Sequence, residues 1–504
     1  MALERPAGTA RGLDERHRDG GKHREKRMRQ VVIVHGWSDT SRSFRPLAKF
    51  LQEHGYQPVP LWLGDYISLD DDVAVPDVAQ RMDRVVRDRI ASGELAPEFD
   101  LIVHSTGGLV VREWISACYS GDIGQCPARR LVMLAPANFG SRLASMGQSM
   151  LGRLVKGWNN WFHTGKRMLD ALELSSPYQW DLVQRDLFVP PDAQSAPALY
   201  GADGVWPFVI VGSHPYPGTL RQIINENGSD GTVRVPAANL NTRGMTIDFS
   251  VDEAEPRLTP WRLRQPDPFP FAVLPDRTHA SIISPDKPDV RVDPATQARL
   301  CELILAALSC DSRNTYQAMA DEWTAISEQT AALTDDARRS RVFADDQPAD
   351  LFHQFLQINV RVTDNHGQQV GDYFLEFSGP EQERGSDSTV YFHRQVLEDV
   401  HVNGADNALR CLYVDRTDLV KNYYDHIRGQ VAKVLDMSVS ANPVGANVSY
   451  FSDYRTGAKG TLTVHRQDAD TPESRWLKRN TTHFVHIVIP RTPSDRVFRL
   501  KRYP

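Results

Sequence analysis

The run Asp100-Leu101-Ile102-Val103-His104-Ser105-Thr106-Gly107-Gly108-Leu109 constrains this chain more than any other segment. An apolar stretch ends in a serine, two glycines follow within three positions, and helical periodicity begins at once. A serine at so sharp a strand-to-helix turn has strained backbone angles, and the residues beside it must be small enough for neighbouring chains to pass. Gly107 meets that need downstream, whereas Val103 stands upstream where a glycine is usual. The helix start adds a positive dipole end, which suits a developing oxyanion. These residue types point to Ser105 as a nucleophile.

The surrounding periodicity describes an α/β chain. Val31–Val34 is a short β-branched run followed by His35-Gly36-Trp37, where such an architecture places a second oxyanion donor. The backbone N–H groups of Trp37 and Thr106 are the expected oxyanion hole. Helical spacing at Ser43–His54, at 76–92 and at Leu109–Cys118 alternates with apolar runs at Pro58–Leu63, Phe99–Val103, Leu131–Ala135 and Phe208–Val211. Strands alternating with helices imply a doubly wound, mostly parallel sheet. Residues 141–200 interrupt the rhythm with Met146, Met150, Leu154 and Trp158 at helical spacing. They are expected to form a helical cap, either packed as a core or lying as a lipid-facing lid. Asp311–Ser340 reads as a long polar helix with one apolar seam. Beyond it, short runs such as Ile358–Val362, Tyr373–Phe377, Thr389–Phe392, Leu409–Val414 and Phe484–Ile489 suggest a C-terminal all-β sandwich-like domain. The expected partition is an arm at 1–30, an α/β domain at 31–310 with its cap at 141–200, a helix and linker at 311–349, and a β-rich domain at 350–504.

The motifs His35-Gly36-Trp37, His104-Ser105-Thr106-Gly107-Gly108 and Leu134-Ala135-Pro136-Ala137-Asn138-Phe139-Gly140-Ser141 together resemble the lipase/esterase branch of the α/β hydrolases. The resemblance spans about residues 31–290. It extends to Asp230-Gly231-Thr232-Val233, similar to the acid loop of those lipases, and to Asp276–Ser281, similar to their histidine loop. It implies the chain order nucleophile, acid, base, which Ser105, Asp230 and His279 satisfy. Serine is a poor nucleophile unless an imidazole takes its proton, and the imidazole needs a carboxylate to fix its tautomer. Asp203, Asp252 and Asp276 are rivals for the acid, and His214 for the base. His104 and His35 are expected to shape the loops rather than transfer protons.

Ester hydrolysis through an acyl-enzyme follows, with no cofactor and no metal required. The bulky cap residues Met146, Met150 and Trp158, with Trp161, Phe162 and Trp180, suggest an apolar acyl group. A lipase or phospholipase is the expected activity. A short-chain or polymer esterase, an acyltransferase, and a non-catalytic binding protein on this fold stay open beside it. The net charge of −6 gives no pull toward nucleic acid. Five scattered cysteines without CxxC spacing argue against a disulfide framework or zinc site. The first thirty residues carry nine Lys/Arg and no apolar run, unlike a secretory signal, and no stretch is long and apolar enough to span a bilayer. Cytoplasmic residence, or export by a route without a signal peptide, is expected, with peripheral contact to lipid. The β-rich half is read evenly as a lipid- or partner-binding module or as a passive stabilising domain.

Overall fold

The computed structural model describes residues 29–36, 43–61, 71–146, 165–216, 225–288, 294–339, 351–379, 387–423, 434–442, 445–451, 460–466 and 476–503. The arm at 1–28, Trp37, Met150 and Trp158 lie outside them. Five strands open the chain: β1 (Arg29–Val34), β2 (Tyr56–Leu61), β3 (Phe99–His104), β4 (Ala128–Leu134) and β5 (Trp206–Gly212). The next two, β6 (Arg243–Asp248) and β7 (Arg257–Pro260), leave the sheet, and β8 (Phe271–Leu274) rejoins it. The resulting order is β2-β1-β3-β4-β5-β8, with every neighbouring pair parallel. Val31–Val34 and all of β3 are buried, as both faces of a parallel sheet must be when helices cover them.

Helix α1 (Arg45–Glu53) precedes β2, α2 (Val75–Ala91) precedes β3, and α3 (Thr106–Tyr119) follows it directly. In α2, Val78, Met82 and Val86 recur every fourth residue on one buried stripe. The helix Arg313–Arg339 packs against the edge strand β8. Its Tyr316 hydroxyl donates to Pro207 O, and its Thr330 hydroxyl to Val273 O. The helix expected at 311–340 thus lies on the α/β body, with Tyr316, Met319, Trp323 and Ile326 of its apolar seam buried there.

The β-rich half comprises β9 (Phe355–Asp364), β10 (Tyr373–Ser378), β11 (Leu397–Val402), β12 (Leu409–Asp415), β13 (Val434–Ala441), β14 (Val448–Tyr450), β15 (Gly460–Arg466), β16 (Thr482–Ile489) and β17 (Arg491–Pro493). A mixed sheet runs β11-β12-β9-β16-β6-β7, and a second sheet runs β10-β13-β15. The strands β6 and β7, contributed from inside the α/β half, complete the mixed sheet, with β6 parallel to β16 from His483↔Arg243 to Val488↔Asp248. The side-chain period of two then gives the mixed sheet two apolar faces. Val485, Ile487 and Ile489 of β16 join Leu356, Ile358 and Met437 in one core. Phe484 points the other way, 5.4 Å from the Phe139 ring and 5.1 Å from that of Trp180. The two halves therefore share a core, in which Phe484 and Leu409 join the residues of the α/β half.

One expected strand is absent. Thr389–Phe392, β-branched and aromatic, lies instead in a helical turn over Asp387–Tyr391 and a wider turn over Phe392–Val396. Phe392 stacks on Phe377 at 4.9 Å there, so packing overrides the local strand preference. Among the described residues no helix is long and apolar enough to cross a membrane.

Candidate active site

The site is built at the carboxyl ends of the parallel strands, where open α/β sheets place their ligands. Ser105 joins the central strand β3 to α3 with φ 54° and ψ −126°, a region that non-glycine residues rarely occupy. Three main-chain hydrogen bonds impose it: Ser105 N–H donates to Leu134 O at 3.2 Å, and Ser105 O accepts from Gly108 and Ala137 N–H, both at 3.1 Å. The space comes from glycines. A Cβ on Gly107 would lie 2.7 Å from Val34 O, and one on Gly108 would lie 2.7 Å from Pro136 Cβ. A Cβ on Gly36 would fall 2.7 Å from Ser105 Cβ and 3.3 Å from its hydroxyl. Gly36, arriving from the loop after β1, thus clears the side-chain position of Ser105. Val103 is fully buried within β3, paired with Val34 and Met133.

His279 stands in the turn after β8, and Asp230 in the loop between β5 and β6. The His279 Nδ1–H donates to Asp230 Oδ2 at 2.8 Å, because a carboxylate can only accept. The other carboxylate oxygen accepts from Thr232 N–H at 3.0 Å and Val233 N–H at 2.8 Å. His279 N–H closes a second link, to Asp230 O at 2.9 Å. Asp230 is fully buried and His279 nearly so. The His104 Nε2–H donates to His279 O at 3.0 Å, with ring centroids 4.6 Å apart. The residue beside Ser105 thereby fixes the backbone of the imidazole. His35 donates through Nδ1 to Gly36 O and stacks on Phe44.

The rivals stand elsewhere. Asp203 and Asp252 are exposed, the latter accepting from Ala254 and Glu255 N–H in a turn. Asp276 is buried with its carboxylate 3.4 Å from Arg277. His214, after β5, donates its backbone N–H to Arg277 O. Thr106 is buried as the first residue of α3, which puts its N–H at a helix N-terminus. Its expected partner Trp37 lies outside the described residues. Of the bulky residues expected around an acyl group, Met146 and Trp180 are described, and Met146 is half-buried at the end of the short helix Arg142–Ser145. Trp180 packs edge-on to Trp261 and Phe484, so it belongs to the contact between the two halves.

One group of metal-ligating types occurs among the described residues: His353, Asp415 and Asp418. The His353 Nδ1 lies 2.5 Å from Asp415 Oδ2. Two ligands of one ion at bonds near ~2.0–2.1 Å would stand ~3.3 Å apart. The contact is a hydrogen bond within a buried pair, from His353 just ahead of β9 to Asp415 at the end of β12.

Sequence reasoning missed what surrounds Asp230 from the β-rich half. Arg234, Tyr413 and Asp399 meet at the acid loop, and no motif ties residues 165 or more positions apart. No family model and no curated protein matches the sequence. Among solved structures, phospholipase PlaB from Legionella pneumophila is similar, with 26% identity and a TM-score of 0.74 over 94% of this chain and 96% of that one. PlaB in complex with thio-NAD aligns with a TM-score of 0.71 over the same shares. A Bacillus licheniformis lipase, BlEst2, aligns over 44% of this chain with 14% identity and a TM-score of 0.31. The likeness to PlaB includes the β-rich half, for which the sequence alone suggested no relative.

Proposed function

Because the chain is an α/β-hydrolase of the lipase and esterase branch, we propose that it hydrolyses fatty-acyl esters, phospholipids first among them, through an acyl-enzyme on Ser105. The observation that carries this is the buried 2.8 Å hydrogen bond between His279 and Asp230, set beside the strained turn at Ser105. Ser105 attacks the ester carbonyl while His279 takes the hydroxyl proton. The C–O bond to the alcohol then breaks, and the proton on His279 passes to the leaving oxygen. Water attacks the acyl-serine by the same route and releases the acid. Asp230 keeps the imidazole in the tautomer that presents Nε2 to serine. The N–H of Thr106, at the N-terminus of α3, meets the oxyanion together with Trp37; such a donor is worth ~3 kcal/mol in the transition state.

The fatty-acyl preference is supported by the likeness to an enzyme named for phospholipids, and by the bulky Met and Trp residues of the 141–200 segment. Peripheral contact with lipid belongs to the same proposal. The test is a panel of p-nitrophenyl esters and phospholipid vesicles, run on wild type and Ser105→Ala together with a fluorophosphonate probe. Wild type is to be labelled, and to cleave long-chain and phospholipid esters faster than acetate. The serine variant is to do neither. Turnover confined to short acyl chains would replace the lipase by a small-ester hydrolase, and an unlabelled, inactive wild type would leave a binding protein.

A further inference from the structure

We infer that the β-rich half is a working part of the active site: Tyr413 and Asp399 hold the loop carrying Asp230 where its carboxylate reaches His279. This rests on Ser105, His279 and Asp230 acting as a triad. The loop spans residues 225–234, and two of its carbonyls point at β12. The Tyr413 hydroxyl lies 2.8 Å from Asn227 O and 3.1 Å from Gly228 O, one donor bridging both. Gly228 has φ 68°, and a Cβ there would fall 2.0 Å from the Phe355 ring and 2.5 Å from the Tyr413 hydroxyl. Phe355 itself stacks on Tyr413 at 4.8 Å. The loop is thus pressed against β9 and β12 with no room for a side chain between.

Arg234 adds the second hold. It is 1% exposed, with its guanidinium 4.1 Å over the Tyr413 ring. Two of its nitrogens reach the two oxygens of Glu226 at 2.7 Å each, which staples the ends of the loop together. Its Nη2 also donates to Asp399 Oδ2 at 2.6 Å, which ties that staple to β11. The nearby Cys411 thiol is pushed up to about 12 by burial, so it stays neutral and adds no charge. Between these anchors lie Thr232 and Val233, whose N–H groups hold the Asp230 carboxylate. A shift of the loop carries that carboxylate with it, and a misplacement of ~1 Å costs about a hundredfold in rate. Tyr413 and Asp399 are therefore positioning residues, acting through Asp230.

The same strand supplies a control. His401, two residues beyond Asp399 on β11, meets Glu173 at 2.9 Å, so its hydrogen bond goes to the 141–200 segment and not to the loop. The experiment compares Tyr413→Phe, Asp399→Asn, Asp399→Glu, His401→Ala and Ser105→Ala in the full chain. It measures kcat and KM on a soluble p-nitrophenyl ester, fluorophosphonate labelling rate and melting temperature. Tyr413→Phe and Asp399→Asn are to lose about ten- to a hundredfold in both kcat and labelling rate, with KM held within about twofold. Asp399→Glu is to recover part of the loss, and His401→Ala is to keep both rates. Should Asp399→Asn not fold, Tyr413→Phe, which removes one hydroxyl, carries the comparison. Wild-type kcat and labelling in Tyr413→Phe would overturn the inference. So would an equal loss in His401→Ala, which would reduce the effect to general docking. Turnover by Ser105→Ala would overturn the triad instead, whatever the other variants do.

Discussion

Gly36 and Ser105 are packed so closely that the Cβ which Gly36 lacks would stand 2.7 Å from the Cβ of Ser105 and 3.0 Å from His104 O. The contact is backbone against the start of a side chain, so no rotamer can relieve it. Gly36→Ala must displace Ser105 or the loop after β1. We expect turnover and fluorophosphonate labelling to fall at least about a hundredfold. Stability should drop by only about 1–3 kcal/mol, the usual cost of one added methyl in a packed site. Full labelling of a folded Gly36→Ala protein would show that the turn at Ser105 has slack that the geometry denies.

Asp230 accepts three hydrogen bonds in a fully buried place, one of them from His279. Asp230→Asn presents an amide to one of those donors and removes the charge that favours the imidazolium. The loss should appear in kcat, by about a thousandfold or more, with KM little changed. Single-turnover acylation with a p-nitrophenyl ester measures it directly. A mild effect beside a crippling Asp276→Asn would move the acid to Asp276, buried against Arg277.

Much of the candidate site was legible because Ser105 and His279 follow strands of the parallel sheet and each of its three residues stands in a short local signature. The valines of β1, the serine-glycine turn after β3, and the Asp-Gly and Thr-His pairs each declare a place in a parallel sheet. The helical boundaries around Ser105 follow from the same residues. What stayed hidden is long-range. In β6 only Met245 and Ile247 alternate with polar residues, and the partner strand β16 begins more than two hundred positions later. The edge strand β11, Leu397-Glu398-Asp399-Val400-His401-Val402, alternates half-buried with exposed residues, so it lacks a buried apolar face. Its meaning comes from Arg234 and Glu173, which no local pattern connects to it.

Arg112 and Asp186 form a pair with 1% or less of either side chain exposed, joined by two hydrogen bonds of 2.8 and 3.1 Å. Arg112 also donates to Asn138 O, and the Tyr200 hydroxyl donates to Asp186. The pair fastens α3, which carries the turn at Ser105, to the helix Pro177–Asp186. Removing one partner strands a buried charge, so Asp186→Ala should cost about 3–5 kcal/mol. Chemical denaturation of the variant against wild type gives the number. A loss under about 1 kcal/mol would mean that water reaches Arg112.

His483 and His486, both on β16, make the β-rich half sensitive to acid. Burial, and then the Arg243 guanidinium, push His483 down to about 3 from its ordinary 6.5. Burial and Arg361 push His486 down to about 4. The His483 Nε2 lies 3.0 Å from Lys478 N, whose N–H the neutral ring accepts, and 3.2 Å from Trp476 O, so burial and not this contact is what keeps the ring neutral. Unfolded, both rings bind a proton as the pH falls through 6.5, whereas the folded rings do not until about 4 and about 3. The stability they contribute is complete above pH 6.5 and drains away below it. Each ring adds a slope of up to about 1.4 kcal/mol per pH unit, with the smaller share from the less buried His486. Urea unfolding of wild type and His483→Gln at pH 7.5, 6, 5 and 4.5 checks this through the pH dependence of the stability. The glutamine variant, which cannot titrate, should be less stable than wild type at pH 7.5 yet lose less on acidification. Parallel losses in the two proteins would place the acid sensitivity outside His483.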